Sequence, residues 1–236
     1  MTASLAARDW LEGLDADTVL RGQGADAARV RARSPRLVAT AERAAREGVA
    51  MLEPRVSCRI LAVRSREPER ILLEGGAALT GPLVAARLRG ACAVAVLVAT
   101  IGQRLENRVS RMFGRDLPYA LALDGLGSAA VERLARSARR LLGDRARTDG
   151  RCAMAPFSPG MEGWSLRVGQ EEILRLLDAN ACGVRLTEEG FLVPRKTLTV
   201  AFGLGLGVAA GDDEELCDSC ASRSRCRHRR LDETHR

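Results

Sequence analysis

Cys217, Cys220 and Cys226 form a C-x2-C-x5-C run near the end of the chain. The first pair has the spacing with which one turn of backbone aims two thiolates at a single metal ion. Five arginines, at 223, 225, 227, 229 and 230, surround the run, and their charge favours the thiolate that a metal needs. The chemistry such a set supports is an iron–sulfur cluster or a zinc site. Three cysteines leave one ligand to be found, and His228, Cys152, Cys182, a non-protein ligand or another chain can each supply it. The competing reading is a set of free thiols in a reducing compartment.

A second stretch with chemical potential is Ala155-Pro156-Phe157-Ser158-Pro159-Gly160-Met161-Glu162-Gly163-Trp164, which gathers two glycines, two prolines and one of only two tryptophans. Pro159 presets φ at the second position of a tight turn and Gly160 allows positive φ at the third. Ser158 to Met161 therefore reads as a type II turn with exposed peptide groups. Exposed peptide edges beside an aromatic ring suit a flat, polar ligand. The alternative is a purely structural turn whose Trp164 closes the core.

Other familiar chemistries are excluded by what is missing. The two histidines, His228 and His235, both lie in the tail, so the rest of the chain has no Ser-His-Asp or Cys-His arrangement. Gly203-Leu204-Gly205-Leu206-Gly207 follows a strand pattern, but Val208 stands where a dinucleotide fingerprint requires glycine, and an acidic segment follows. There is no Walker loop, and no carboxylate pair stands out for acid–base work.

With 46% apolar residues in 236, the chain can fill a sizeable core. Its net charge of +7 comes almost wholly from arginine, Lys196 being the one lysine. The basic segment 133–147 alternates with Leu and Ala and carries no aromatic residue to stack on bases, so it reads as a solvated helix face and not as a nucleic-acid surface. The first ten residues lack the pattern of a secretory signal. The longest apolar run, Ala91 to Ala99, falls well short of the roughly 18 to 20 residues that cross a bilayer. A soluble, cytoplasmic protein without a membrane partner is expected.

The elements that must position these residues follow from periodicity. Ser34-Pro35 opens an amphipathic helix that Pro54 stops. Val56 to Ala62 alternates as a half-buried strand, and Ile71 to Glu74 is a second, ending at Gly75-Gly76. Pro82 opens a short helix, and 91–100 is a continuous apolar strand buried on both faces in the centre of a sheet. Leu105, Val109, Met112 and Phe113 share one helical stripe. A longer helix runs from Pro118 to about Gly143, and its small residues, Gly125 and Gly127 among them, permit close packing; a loop at 125–127 is the other reading. After the turn come a helix over 168–177, a hairpin with Glu188-Glu189-Gly190 at its tip, and a β-rich strand over 197–204. This order predicts an α+β fold, a single twisted mixed or antiparallel sheet with packed helices, over 1–210, followed by an acidic linker and a cysteine-rich tail over 211–236.

Several of these segments together resemble one family. F-S-P-G-M-E-G-W-S-L-R-V-G-Q (157–170), G-V-R-L-T-E (183–188), V-P-R-K-T-L-T-V (193–200) and the cysteine run resemble, in order, the activation domain of cobalamin-dependent methionine synthase, most of all its stand-alone versions with a cysteine tail. L-D-G-L-G-S-A-A-V-E (123–132) and G-Q-R-L-E (102–106) extend the likeness upstream, and it is strongest over 90–210. The resemblance implies a helmet-like α+β domain that binds S-adenosylmethionine through Phe157, Ser158, Pro159, Gly160, Met161 and Trp164. It also implies docking on a corrinoid-binding methyltransferase, where an oxidised cobalamin is reduced and remethylated, with a flavodoxin or ferredoxin as reductant. The corrinoid arrives on the partner, since no D-x-H-x-x-G motif is present. Alternatives are an iron–sulfur electron-transfer activator and a docking module without the ligand.

The chain departs from the family pattern at two places. The family's arginine before Ser-Pro-Gly and tyrosine after it, both ligand contacts, correspond here to Pro156 and Met161. Losing a charged donor to the ligand carboxylate costs about 1.5 to 3 kcal/mol. Arg151 and Arg167 are the substitutes within reach in sequence, and no counterpart stands out for the aspartate that full-length methionine synthases use.

Overall fold

The computed structural model describes residues 8–177 and 180–208. After a short 3-10 turn at Arg8–Leu11 come α1 (Ala16–Gly22), α2 (Ala27–Arg33) and α3 (Pro35–Gly48), then β1 (Arg55–Glu67), β2 (Arg70–Leu73), β3 (Ala78–Thr80), α4 (Pro82–Arg87) and β4 (Ala93–Thr100). The second half holds α5 (Arg104–Phe113), α6 (Leu117–Thr148), β5 (Cys152–Ala153), α7 (Leu166–Leu176), the hairpin β6 (Arg185–Leu186) and β7 (Leu192–Val193), and β8 (Thr197–Gly205). The fold is α+β, as the sequence predicts. The six-stranded sheet runs β3-β2-β1-β4-β8-β5, and every pairing in it is antiparallel.

β4 is central and every residue in it is buried, which explains its unbroken apolar run: a strand covered on both faces has no polar side. Ala93, Ala95, Leu97 and Ala99 face a first core shared with α1, α3, α5 and α6. Val94, Val96 and Val98 face a second core formed with Leu88, Ile173, Phe157 and Trp164. The two helix layers therefore lie on opposite faces of one sheet.

α6 is continuous through 125–127 and extends to Thr148, five residues past the expected end, so the loop reading of its glycines is corrected. The glycines are contact points. A Cβ on Gly125 would stand 2.5 Å from Gln23 Cγ and 2.6 Å from the Val19 carbonyl oxygen, where α1 crosses. One on Gly127 would meet Leu105 Cδ2 at 3.1 Å and Lys196 Cγ at 3.2 Å. Close approach of backbones offsets the roughly 1 kcal/mol that each glycine costs in a helix interior. The glycines of β8 are likewise packing residues: a Cβ on Gly203 would overlap Met154 and stand 2.9 Å from the Ala91 Cβ.

Helix starts follow their sequence signals. Asp116 caps α6 by accepting from the Tyr119 N–H at 3.2 Å, and Pro118 occupies its first turn. Ser34 precedes α3 as expected, but its hydroxyl makes no capping bond, and Pro35 alone marks that start. Among the described residues no helix is long and apolar enough to cross a membrane.

Candidate functional site

The 157–164 turn is anchored to the sheet at one end. Phe157 exchanges both backbone hydrogen bonds with Ala201 of β8, each 2.9 Å, and so acts as a one-residue strand. The chain then reverses. Met161 N–H donates to the Ser158 carbonyl at 3.3 Å, and Gly160 has φ +92°, as a type II turn with proline at its second position requires. Two further bonds tighten the loop: Gly160 N–H to the Trp164 carbonyl at 3.0 Å, and Trp164 N–H to the Met161 carbonyl at 2.9 Å.

What lies above and below this turn differs. Phe157 and Trp164 are 1% and 2% exposed, with ring centroids 5.1 Å apart, and both belong to the second core. Pro156 and Pro159 are buried too, and Ser158 is half-buried. Gly160, Met161, Glu162 and Gly163 are exposed. Among the described residues the N–H groups of Glu162 and Gly163 have no hydrogen-bond partner. The Gly163 carbonyl is taken by Leu83 N–H at 3.1 Å, tying the loop to the start of α4. The two halves of the loop thus differ: the aromatic rings close the core, and the glycine edge faces outward.

The loop's polar atoms fit a ligand in part. The Trp164 Nε1 donor and the Gln170 Oε1 acceptor are buried without partners, a combination native cores rarely leave unsatisfied. An outside ligand meets the peptide edge first, because both orphaned atoms lie beneath the surface. No cation lies within the turn. Arg167, on the first turn of α7, is 64% exposed and paired with Glu171 at 3.0 Å. Arg151 lies ahead of β5, with its backbone N–H on the Ala146 carbonyl at 3.0 Å.

Three other segments of the resemblance come together elsewhere. Lys196, just ahead of β8, crosses Gly127 of α6; its ammonium donates to Ser128 Oγ at 2.8 Å and pairs with Asp124 Oδ1 at 2.9 Å. Glu106 of α5 accepts the Arg195 backbone N–H at 3.0 Å. Gly102-Glu106, Leu123-Glu132 and Val193-Val200 therefore meet around one cleft of about 440 Å³, floored by Leu105, Val109 and Leu123. Sequence reasoning marked these motifs and missed that they converge. Their spacing, about 20 and 70 residues apart, contains no periodic signal that brings them together.

Among the described residues no group of histidine, cysteine or acidic side chains is placed to hold a metal. Cys217, Cys220, Cys226 and His228 lie outside the described residues. Of the suggested fourth ligands, Cys182 is buried in the second core and Cys152 sits half-buried on β5.

No family model matches this sequence, and no curated protein matches it. Among solved structures, the chain is similar to a crystal structure of the MetH reactivation domain bound to AdoHcy, with a TM-score of 0.61 and 13% identity over 99% of this chain and 87% of that one. The two share a fold.

Proposed function

We propose that the chain binds S-adenosylmethionine on the 157–164 turn and serves as the activation partner of a corrinoid protein of methionine synthase or a related corrinoid methyltransferase. The observation that supports this most is the Gly160 turn. It presents unpaired peptide N–H groups on a rigid aromatic base, in a fold shared with a domain whose crystal structure holds AdoHcy. In this reading the chain works by positioning. Ser158, Pro159 and Gly160 fix the turn, the open N–H groups of Glu162 and Gly163 hydrogen-bond the ligand, and Phe157 and Trp164 support it from beneath. Bound S-adenosylmethionine supplies a methyl group activated by its sulfonium. Cys217, Cys220 and Cys226 hold an iron–sulfur cluster or zinc, and a flavodoxin or ferredoxin delivers electrons to the partner's corrinoid.

Calorimetric titration with S-adenosylmethionine tests the reading. Saturable binding is expected, weakened at least about tenfold by Gly160→Val, because a β-branched residue cannot hold φ +92° without strain. Absence of saturable binding at about 1 mM ligand overturns it. A docking module that has lost the ligand is the second reading, favoured by buried Pro156 and by the lack of a cation in the turn. It predicts binding to a corrinoid protein that is indifferent to S-adenosylmethionine.

A further inference from the structure

The cleft between α5, α6 and the start of β8 holds two opposite charges that do not satisfy each other. Arg195 lines it, and among the described residues its guanidinium has no hydrogen-bond or ion-pair partner. Glu106 lines it as well; its Oε2 is fixed by the Arg195 backbone N–H, while Oε1 has no partner among the described residues. The other charged pair there is already closed: Lys196 is held by Asp124 and Ser128, and its side chain is 20% exposed. The floor between the open charges is apolar, made by Leu105 and Leu123, both buried in the first core, and by Val109.

The supporting residues are themselves locked. Gly127 leaves room for the Lys196 stem to lie across α6. The Lys196 carbonyl accepts from Ile101 N–H at 3.3 Å and from Thr100 Oγ1 at 3.4 Å, and Thr100 in turn accepts from Thr197 Oγ1 at 2.9 Å. A fixed carboxylate, an unpaired guanidinium and an apolar floor in one concave space are the complement of a small molecule carrying both charges and an apolar body.

We propose that this cleft is a binding site for a zwitterionic α-amino acid with an apolar side chain: the carboxylate on Arg195, the ammonium on Glu106, and the side chain over Leu105, Val109 and Leu123. The site is separate from the S-adenosylmethionine turn, whose rings belong to the core on the other face of the sheet. The two proposals therefore stand or fall independently.

The test uses the full chain with L-leucine as probe, and 4-methylpentanoate and isoamylamine as analogues bearing one charge each. Backbone amide shifts in a ¹⁵N-labelled sample should move saturably with L-leucine at residues 105–110, 123–128 and 195–196. Each single-charge analogue should bind at least about tenfold more weakly, as should L-leucine to Arg195→Gln and Glu106→Gln. Glu106→Gln keeps an acceptor for the Arg195 N–H, and unchanged thermal unfolding of both variants shows that the fold persists. No saturable shift up to about 10 mM L-leucine, equal binding of a single-charge analogue, or shifts centred elsewhere overturn the proposal. The wild-type titration decides the matter even where a variant fails to fold. Both variants should bind S-adenosylmethionine as the wild type does, which separates this result from any failure at the turn.

Discussion

Trp164 and Gly169 are fitted to one another: a Cβ added at Gly169 would stand 2.7 Å from both Cε2 and Nε1 of the indole and 3.0 Å from the Pro159 Cβ. The helix α7 thereby presses on the turn from below, and the W-x4-G-Q spacing gains a steric meaning. Gly169 lies inside α7, where alanine is ordinarily preferred by about 1 kcal/mol. Here Gly169→Ala should instead destabilise the protein by about 1 to 3 kcal/mol, as overpacking does. It should also tilt Trp164 and weaken S-adenosylmethionine binding. Thermal unfolding and calorimetry on the same variant check both effects; a more stable variant would contradict the packing argument.

Gly125 gives the same inversion on the other face of the sheet. Its neighbours are the Val19 carbonyl and Gln23 of α1, which would stand 2.6 and 2.5 Å from an added methyl group. Gly125→Ala should cost about 1 to 3 kcal/mol by forcing α1 away from α6, whereas alanine at the exposed Gly114, with open space around its Cβ position, should cost nothing. Denaturant midpoints of the two variants, compared at equal slope, measure the difference.

These two glycines show what could be read from the sequence and what could not. The helical spacing around 123–132 announced close packing, and the partner, α1, could not be named because the contact joins segments far apart in the chain. The apolar run at 91–100 declared itself a central strand, since burial on both faces leaves a direct trace in composition. The turn at 158–161 was legible from Pro159 and Gly160 alone, being local chemistry. That Phe157 and Trp164 point inward while Gly160 to Gly163 face out was not, because it depends on where α4 and α7 lie. The cleft at Arg195 was the least legible, as it forms where α5, α6 and the residues ahead of β8 pack on one another from segments far apart in the chain.

A pH dependence follows from the single tyrosine. Tyr119 is fully buried, and its hydroxyl donates to Glu47 Oε2 at 2.6 Å while the Arg43 guanidinium lies 3.9 Å from the ring centroid. The Tyr119 bond first, and then Arg43, hold the Glu47 carboxyl below its ordinary value of 4.5 against the opposing effect of burial. A carboxyl depressed in the folded state contributes stability above its ordinary value, and that contribution is lost as the pH falls through the folded one. Tyr119 moves the other way, raised above 10.0 by burial first and by the Glu47 bond second, so the folded state loses stability as the pH rises past 10.0. The stability difference between wild type and Tyr119→Phe should therefore be constant between about pH 6 and pH 9 and shrink on both sides. Urea unfolding across pH tests this; a difference that persists unchanged well below the ordinary carboxyl value would remove Glu47 from the account.

Pro156 and Met161, the two places where the sequence departs from the pattern it resembles, are not equivalent, and the structure separates them. Met161 is 38% exposed beside the open peptide edge, whereas Pro156 is buried one residue before the Phe157 bridge. A ring at 161 can lie on the surface without disturbing the core. Met161→Tyr should leave thermal unfolding unchanged and tighten S-adenosylmethionine binding about tenfold, through one added hydrogen bond and an aromatic face. An arginine at 156 would have to bury its charge or pull the chain off β8. Pro156→Arg should therefore cost at least about 2 kcal/mol in stability, whatever it contributes to the ligand. Calorimetry and thermal unfolding of the two single variants check the asymmetry. Equal stability of both would mean that the 156 side chain reaches solvent, and a gain in affinity from Pro156→Arg alone would move the ligand carboxylate to the sheet side of the turn.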